Sequence, residues 1–210
     1  IVHSALPRLE FPEMIYIEAK LHEIFNQARG IIRDTCVELL SSGGKRIRPL
    51  LTITSGLCFG PLNNEIINSA VAAELIHMAS LVHDDVIDSS DFRRGNPTIN
   101  SLHGNSSAVL TGDYIFAEAF NILSSHRLLA GMGYLVEAIR QMCDGEVNQS
   151  AELFVTTVNK ERYFCRIAKK TGTLLAACCK SGAVSAGASE EEIILMGQYG
   201  LNLGYAYQII

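Results

Sequence analysis

The 210-residue sequence contains no tryptophan, and proline is scarce, with five residues. Hydrophobic residues nevertheless make up 48% of the chain, a balance typical of a helical globular protein rather than of a β-sandwich or a disordered chain. The length suits one domain with a substantial core, so we expect residues 1–210 to form a single domain.

An excess of positive charge is also missing. The formal net charge of −5 argues against a nucleic-acid partner, because contact with a phosphate backbone requires a basic face. Any basic binding site must therefore be local.

The sequence lacks the cysteine spacing of a metal site or a disulfide framework. Its six cysteines form no C-x-x-C pair and do not cluster with histidine, so they are expected to be reduced thiols. No basic-then-apolar leader opens the sequence, and Glu74 and His77 interrupt its most apolar stretch, which predicts no membrane span. We therefore expect a cytoplasmic protein.

Strand alternation is scarce, whereas apolar residues recur at the three- and four-residue steps of amphipathic helices. Ile17, Leu21, Ile24, Ala28 and Ile31 predict a first helix that ends at "SSGG" (41–44). Further helices are predicted from about 49 to 60, 64 to 88, 106 to 125, 129 to 150, 160 to 186 and 190 to 210. "RRGNPT" and "SAGAS" supply breaks between them. The pattern predicts an all-α fold, a bundle of long antiparallel helices.

The segment "SLVHDDVIDSSDFRRG" (80–95) places Asp84, Asp85 and Asp88 at the end of an apolar helix. At about 100° per residue, His77, Asp84 and Asp88 fall within roughly 40° of one another on one helix face. Neighbouring carboxylates repel, so a cation should compensate, and an incomplete set of oxygen ligands suits Mg²⁺, which adds water and substrate phosphates. A solvated acidic helix end is the alternative for this motif taken alone.

Two basic clusters accompany the aspartates. Arg93 and Arg94 follow the predicted helix end, where guanidinium groups can bind the phosphates that a metal bridges. "GGKRIRP" (43–49) sets Lys45, Arg46 and Arg48 ahead of a new helix, which favours an anion site, with a solvated basic turn as the alternative. The Walker spacing G-x-x-x-x-G-K-[ST] is absent.

Several motifs together resemble those of the trans-type polyprenyl diphosphate synthases, which elongate isoprenyl chains head to tail. The following stretches occur in that family's order: "GGKRIRP", "ELIHMASLVHDDVID", "RRGNPT", "GDYIFA", "CDGEVNQ", "KKTGTLLAACCKSGA" and "GLNLGYAYQII". The aspartate-containing stretch is most similar to the catalytic component of heptaprenyl diphosphate synthases. The resemblance implies the isoprenoid synthase fold, an all-α bundle around a central cavity.

The resemblance also implies how the acidic residues and their neighbours act. Mg²⁺ would bind Asp84 and Asp88, with Asp85 assisting, and would hold an allylic diphosphate such as farnesyl diphosphate. Arg93 and Lys170 would offset the charge of that diphosphate while its C–O bond ionises.

The second substrate implied by the resemblance is isopentenyl diphosphate, whose double bond attacks the allylic cation. Four residues would bind it: Lys45, Arg48, His77 and Arg94. Thr171 and Gln208 would line the cation's side of the pocket.

Product length is implied by the residues four and five positions before the first aspartate, which form a floor in short-chain members of the family. Here they are Ser80 and Ala79, and small side chains leave a tunnel open. The resemblance therefore implies a product of about C30–C50, heptaprenyl favoured, for a menaquinone or ubiquinone side chain. The tail's apolar surface would favour its burial by about 0.8 kcal/mol per CH₂.

One departure from the family concerns the second aspartate-rich motif, because the sequence stops at Ile210 before any such motif. The domain is therefore predicted to be truncated, and the 210 residues alone are predicted to be a poor enzyme or inactive. A non-catalytic partner subunit is the alternative function. A class I terpene cyclase shares D-D-x-x-D but has no use for "GGKRIRP". A homodimer, or a heterodimer with a small subunit, is expected, with its interface on the apolar helices near 106–150.

Overall fold

The computed structural model describes the backbone of residues 11–151 and 159–210, and the side chains of 11–148 and 159–210. These ranges are almost entirely helical, which confirms the all-α prediction. The α-helices are α1 (Met14–Gln27), α2 (Gly30–Ser41), α3 (Ile47–Leu57), α4 (Asn64–Ile87), α5 (Ile99–His103), α6 (Asn105–Ser125), α7 (Leu129–Ala151), α8 (Lys160–Ile167), α9 (Thr173–Ser185) and α10 (Glu190–Ile209). A π-helical turn covers Ala168–Gly172, and β1 (Phe92–Arg93) pairs with β2 (Asn96–Pro97).

Helix α4 lies at the centre of the bundle and packs against α3, α6 and α9. The side chain of Asn63 caps its first turn by accepting a hydrogen bond from the Ile66 amide at 2.8 Å, and the helix then runs for 24 residues. By length and composition it could span a membrane despite Glu74 and His77, but 78% of its most apolar window is buried inside the protein. The apolar residues of α4 therefore form the core around which the site is built.

The first predicted helix is wrong in one respect, because the structure divides it into α1 and α2. Ala28 is extended, with ψ 162°, and Gly30 begins the next helix at φ +58°, a conformation that favours glycine. The apolar spacing continues in the sequence but the buried face ends at this break: Ile31 is 49% exposed, whereas Ile17 and Leu21 are fully buried.

The predicted break at "RRGNPT" is a β-hairpin followed by the short helix α5, neither of which the sequence pattern predicted. Its two turn residues, Arg94 and Gly95, have φ of 53° and 84°, the positive values that a type I′ turn requires at both positions. This turn brings Arg93 back against the end of α4.

The predicted helix at 160–186 is interrupted by the π-helical turn, which carries Lys170 and Thr171. Helix α10 approaches this turn very closely: a Cβ at Gly204 would overlap the backbone of Gly172. Such turns inside helices are frequent at functional sites. The close approach places the end of α10 beside Thr171.

Candidate functional site

A cavity of about 340 Å³ lies between the α2–α3 loop, the middle of α4, the β-hairpin and the end of α10. We call it the basic cavity, because five cationic side chains line it together with one carboxylate. Its polar lining residues include Lys45, Arg46, Arg48, Arg93, Arg94, Glu74, His77 and Tyr207. The structure therefore brings together all four residues predicted to bind isopentenyl diphosphate.

Arg46 lies between two acids and is fixed on both sides. Its Nε donates to Glu18 of α1 at 2.7 Å and its Nη1 donates to Glu74 of α4 at 3.0 Å. These ion pairs hold the Arg46 pKa above its usual value despite burial. Because its charge is already paired, Arg46 is not the cation that the cavity offers to a ligand.

Lys45 and Arg48 make no ion pair with the part of the chain that the structure describes. Lys45 is exposed, whereas Arg48 is half-buried and its Nε atom has no hydrogen-bond partner in the described ranges. Burial lowers the Arg48 pKa from its usual value, so an anionic ligand would stabilise this charge. These two cations can therefore bind an incoming anion.

His77 lines the same cavity from α4. Burial, reinforced by the charges of Arg48 and Arg94, lowers the pKa of His77 to about 2. The ring is therefore neutral at physiological pH and can contribute a hydrogen bond to a ligand but no charge.

Arg94 links the hairpin to the glycine-rich loop. Its Nη1 donates to the carbonyl oxygen of Gly43 at 2.5 Å. A Cβ at Gly44 would lie 3.2 Å from this same nitrogen, so the absence of a side chain at Gly44 lets the arginine lie close to the loop. One wall of the cavity thus depends on residues that are 51 apart in sequence.

The three aspartates at the end of α4 occupy different environments. Asp85 is buried, and both of its carboxylate oxygens accept hydrogen bonds from Arg93 Nε, at 2.9 and 3.0 Å. Asp84 is half-buried and Asp88 is exposed. We call Asp84 and Asp88 the acidic patch. Arg93 is thus paired with Asp85, and its expected part in offsetting the charge of a diphosphate stays a prediction.

Burial raises the pKa of Asp84, and the negative charges of Glu146 and Asp88 reinforce the shift, while Lys170 and Arg93 oppose it. Lys170 Nζ lies 3.6 Å from a carboxylate oxygen of Glu146. Despite these two cations, the surroundings of Asp84 disfavour its charged form, and an added cation would stabilise it.

Thr171 and Gln208, which were predicted to share one side of the pocket, are hydrogen-bonded. The Gln208 side-chain amide donates to the buried Thr171 hydroxyl at 2.9 Å. The pair joins the π-helical turn to the end of α10, although its role toward a substrate stays a prediction.

Known proteins with similar sequences and structures identify the family. The polyprenyl synthetase profile matches residues 29–210. The chain belongs to the polyprenyl synthetase family. It is 37% identical to heptaprenyl diphosphate synthase component 2 of Bacillus subtilis, covering 92% of this chain and 56% of that protein.

Solved structures agree with this assignment. A decaprenyl diphosphate synthase from Rhodobacter capsulatus superposes with a TM-score of 0.89 at 33% identity, covering 94% of this chain and 61% of that one. A polyprenyl synthase from Caulobacter crescentus, complexed with calcium and isoprenyl diphosphate, also superposes with a TM-score of 0.89, at 34% identity, covering 94% and 60%. The isoprenoid synthase fold expected from the resemblance is confirmed.

The chain spans less than two thirds of the length of these family members. Other similar proteins are named as octaprenyl and geranylgeranyl diphosphate synthases. Membership of the polyprenyl synthetase family therefore does not define product length.

The described residues contain no group of three or more histidine, cysteine, aspartate or glutamate side chains that could hold a metal ion. Asp84 and Asp88 supply only carboxylate oxygens, one helical turn apart. Such a donor set fits a divalent cation that takes its remaining ligands from water and substrate phosphate.

The residues predicted to control product length lie apart from the basic cavity. Ala79 is fully buried in the main core, and half-buried Ser80 donates its hydroxyl hydrogen to the His77 carbonyl at 2.8 Å. Neither lines the basic cavity. Their role as a tunnel floor stays a prediction.

Sequence reasoning missed three carboxylates that matter to the site: Glu18, Glu74 and Glu146. Glu74 precedes His77 by three residues, so helical spacing could have placed it on the same face. Glu146 lies in "CDGEVNQ", whose acids received no role. Glu18 gave no local indication, because its partner Arg46 is 28 residues away.

Proposed function

We propose that this chain is part of a trans-prenyltransferase that condenses isopentenyl diphosphate head to tail onto an allylic diphosphate. The observation that carries the proposal is the position of Arg93. It lines the basic cavity, pairs with Asp85 and acts electrostatically on Asp84. The basic cavity, which could bind one diphosphate directly, is thereby adjacent to the acidic patch, which could bind a second one through a divalent cation. Two adjacent sites are what two diphosphate substrates require.

The acidic patch would hold the allylic substrate through a divalent cation, with Mg²⁺ as our choice, bound by Asp84 and Asp88. The cation would offset the charge that develops on the leaving pyrophosphate. Lys170 and Arg93 would add positive charge to the same region. The similar C. crescentus protein was solved with calcium and isoprenyl diphosphate, which supports a divalent cation here.

The basic cavity would hold isopentenyl diphosphate through Lys45, Arg48 and Arg94, with a hydrogen bond from neutral His77. The C–O bond of the allylic diphosphate breaks, and its electrons leave with pyrophosphate. The double bond of isopentenyl diphosphate then forms a C–C bond to the allylic carbon. A proton is lost from the resulting cation to the departing pyrophosphate, which restores a double bond and balances the reaction.

We further infer a product of about C30–C50, heptaprenyl favoured, that supplies a menaquinone or ubiquinone side chain in the cytoplasm. The small side chains of Ala79 and Ser80 support this length, since neither is bulky enough to form the floor expected in short-chain members. The similarity to heptaprenyl diphosphate synthase component 2 points the same way.

Changing the side chains below Asp84 tests the product length. Ser80→Phe is expected to shorten the main product, because the ring would project from a half-buried position into the tunnel. Ala79→Phe should do the same, at a cost of about 1–3 kcal/mol in folding stability from overpacking the core. Chain length is read by mass spectrometry, with thermal denaturation as the control. Products of unchanged length from folded variants would contradict the floor assignment.

The experiment that tests the function is product analysis with farnesyl diphosphate, isopentenyl diphosphate and Mg²⁺. The full-length protein that contains these 210 residues should yield polyprenyl diphosphates, whereas the 210 residues alone are expected to yield little. The absence of product from folded full-length protein, with or without a partner, would overturn the proposal.

A partner-subunit function is the second candidate, because the B. subtilis relative is named as component 2 of a synthase. Exposed apolar side chains on α6 and α7, including Leu110 and Leu129, support an interface there for a homodimer or a small subunit. Asp84→Asn distinguishes the candidates: it should abolish turnover by an enzyme but leave a scaffold's effect on its partner intact. A terpene cyclase is disfavoured, since it would not need Lys45 and Arg48.

A further inference from the structure

One carboxylate, Glu74, lines the basic cavity among five cationic residues. It is 3% exposed. Its Oε1 accepts the hydrogen bond from Arg46, and its Oε2 is buried without a hydrogen-bond partner among the residues that the structure describes. A buried carboxylate is costly unless it is paired, so its position in an anion-binding cavity needs a function.

The partner of Glu74 has an unusual backbone conformation. Arg46 has φ 48° and ψ 38°, in the left-handed region, at the residue before α3 begins. Residues other than glycine and asparagine seldom adopt this region. Lys45 precedes Arg46 and Arg48 follows two residues later, so the Arg46 conformation determines the direction in which both cations enter the cavity.

Three side chains from separate parts of the sequence hold this conformation: Glu18 of α1, Arg46, and Glu74 of α4. We call them the acid–arginine clamp. The Arg46 side chain is 11% exposed and that of Glu74 is 4% exposed, whereas that of Glu18 is 40% exposed. Glu74 is therefore the strong half of the clamp and Glu18 the weak half, since solvent screens an exposed pair.

We propose that Glu74 is a positioning residue for isopentenyl diphosphate: through Arg46 it fixes the course of residues 45–48 and directs Lys45 and Arg48 at the diphosphate. Glu74 does not bind substrate itself, because a carboxylate repels a diphosphate. Its charge instead neutralises Arg46, which is held by two acids, and leaves the cavity's positive charge on the neighbouring cations. The inference rests on the proposed function and adds a residue to it.

The test measures isopentenyl diphosphate binding by isothermal titration calorimetry with the full-length protein. Glu74→Gln keeps the shape and removes the charge. We expect its dissociation constant to rise roughly tenfold, at the lower end of what misplaced binding groups cost. In turnover, the KM for isopentenyl diphosphate should rise by the same factor, while the KM for farnesyl diphosphate changes much less. Arg46→Asn, which tolerates the left-handed φ but cannot form the clamp, should show the same defect.

Each variant has a matched control: another acid of α4 for Glu74, and another arginine with a left-handed backbone for Arg46. Glu65→Gln changes an exposed acid of α4, and Arg127→Asn changes an exposed arginine with φ 57°. Both should bind isopentenyl diphosphate as the wild type does. The double variant of Glu74→Gln and Arg46→Asn should be no weaker than either single variant, because both remove the same clamp.

A purely structural role would overturn the inference. In that case Glu74→Gln and Arg46→Asn would have lower melting temperatures, but at temperatures well below melting they would bind isopentenyl diphosphate as the wild type does. If Glu74→Gln does not fold, the exposed half of the clamp is used instead. Unchanged binding by both Glu18→Gln and Arg46→Asn would then overturn the proposal. Wild-type protein that binds no isopentenyl diphosphate would overturn the proposed function as well. Equal binding by wild type and variants would overturn the inference alone.

Discussion

The basic cavity and the acidic patch each bring like charges together, but the two regions differ in how the protein compensates those charges. In the basic cavity, Arg46 is fixed by two acids and Arg94 by a backbone carbonyl. In the acidic patch, Asp88 is exposed and the charge of Glu146 adds to the repulsion around Asp84. Arg46 and Arg94 are therefore held in place by the protein itself, whereas the surroundings of Asp84 disfavour its charged form, which fits a ligand that adds positive charge.

Neutralising Asp84, one of the two proposed ligands of the divalent cation, should give the largest effect on turnover. Asp84→Asn in the full-length protein is expected to lower turnover at least about 1,000-fold, because metal stabilisation of a leaving group contributes several kcal/mol. Product formation by mass spectrometry measures it. Asp91→Asn, an exposed aspartate of the following loop, serves as the control. Retained turnover in Asp84→Asn would make the acidic patch an ordinary solvated helix end.

Removing one cation from the basic cavity should have a smaller effect on catalysis, and one that is specific to isopentenyl diphosphate. Arg48→Gln is expected to raise the KM for isopentenyl diphosphate roughly 10- to 100-fold, the equivalent of about 1.5–3 kcal/mol for hydrogen bonds to a charged group. Steady-state kinetics with each substrate varied in turn measure it, with Arg33→Gln on the surface as the control. Equal weakening of both substrates would contradict a division of labour between the two regions.

Most helices could be predicted from the sequence, because long apolar segments between helix-breaking residues report directly on burial. The helices predicted at 64–88, 106–125 and 129–150 match α4, α6 and α7 to within about one residue at each end. The division between α1 and α2 was missed, since the apolar period continues across Gly30 while its backbone does not. The π-helical turn has no pattern of its own and depends on the close approach of α10.

The site could be predicted where its residues lie in one motif and not where they meet through the fold. The aspartates of α4 and the cations of "GGKRIRP" are contiguous, so their composition indicated phosphate and metal chemistry. The ion pair between Arg93 and Asp85 depends on a hairpin turn. At that position the sequence predicted only a break between helices. Glu18 and Glu74 pair with Arg46 across 28 residues on either side, a distance that no local pattern reports.

The ion pair between Asp85 and Arg93 connects the acidic patch to the basic cavity. Its loss should lower stability more than the loss of the exposed carboxylate of Asp88. Asp85→Asn is expected to lower the free energy of unfolding by about 2 kcal/mol, because it leaves the Arg93 guanidinium without its buried partner. This figure is below that for a fully buried pair, since the Arg93 side chain is 31% exposed. Asp88→Asn should instead be neutral or stabilising by a few tenths of a kcal/mol, as it removes repulsion with Asp84. Urea unfolding of both variants makes the comparison, and equal losses would contradict it.

The smallest expected effect is a pH dependence from His77, which faces the arginines of the basic cavity and Glu74. Its pKa is lowered to about 2 by burial and by Arg48, Arg94, Arg93 and Arg46, so it stays neutral in the folded protein while the unfolded chain gains a proton near pH 6.5. The unfolded state then binds more protons, and stability falls as pH drops below about 6.5, by about 1 kcal/mol per pH unit.

Replacing the imidazole isolates this contribution. His77→Gln cannot titrate, so its free energy of unfolding should decline less than that of the wild type between pH 6.5 and 5, whereas the two should run parallel above about pH 7.5. Glu74 remains in both proteins, and its own pKa, raised by burial, cancels in the comparison. His22→Gln, at an exposed position of α1, is the control. Parallel curves over the whole range would mean that His77 accepts a proton in the folded state, and the basic cavity would then be more open to solvent than its four arginines imply.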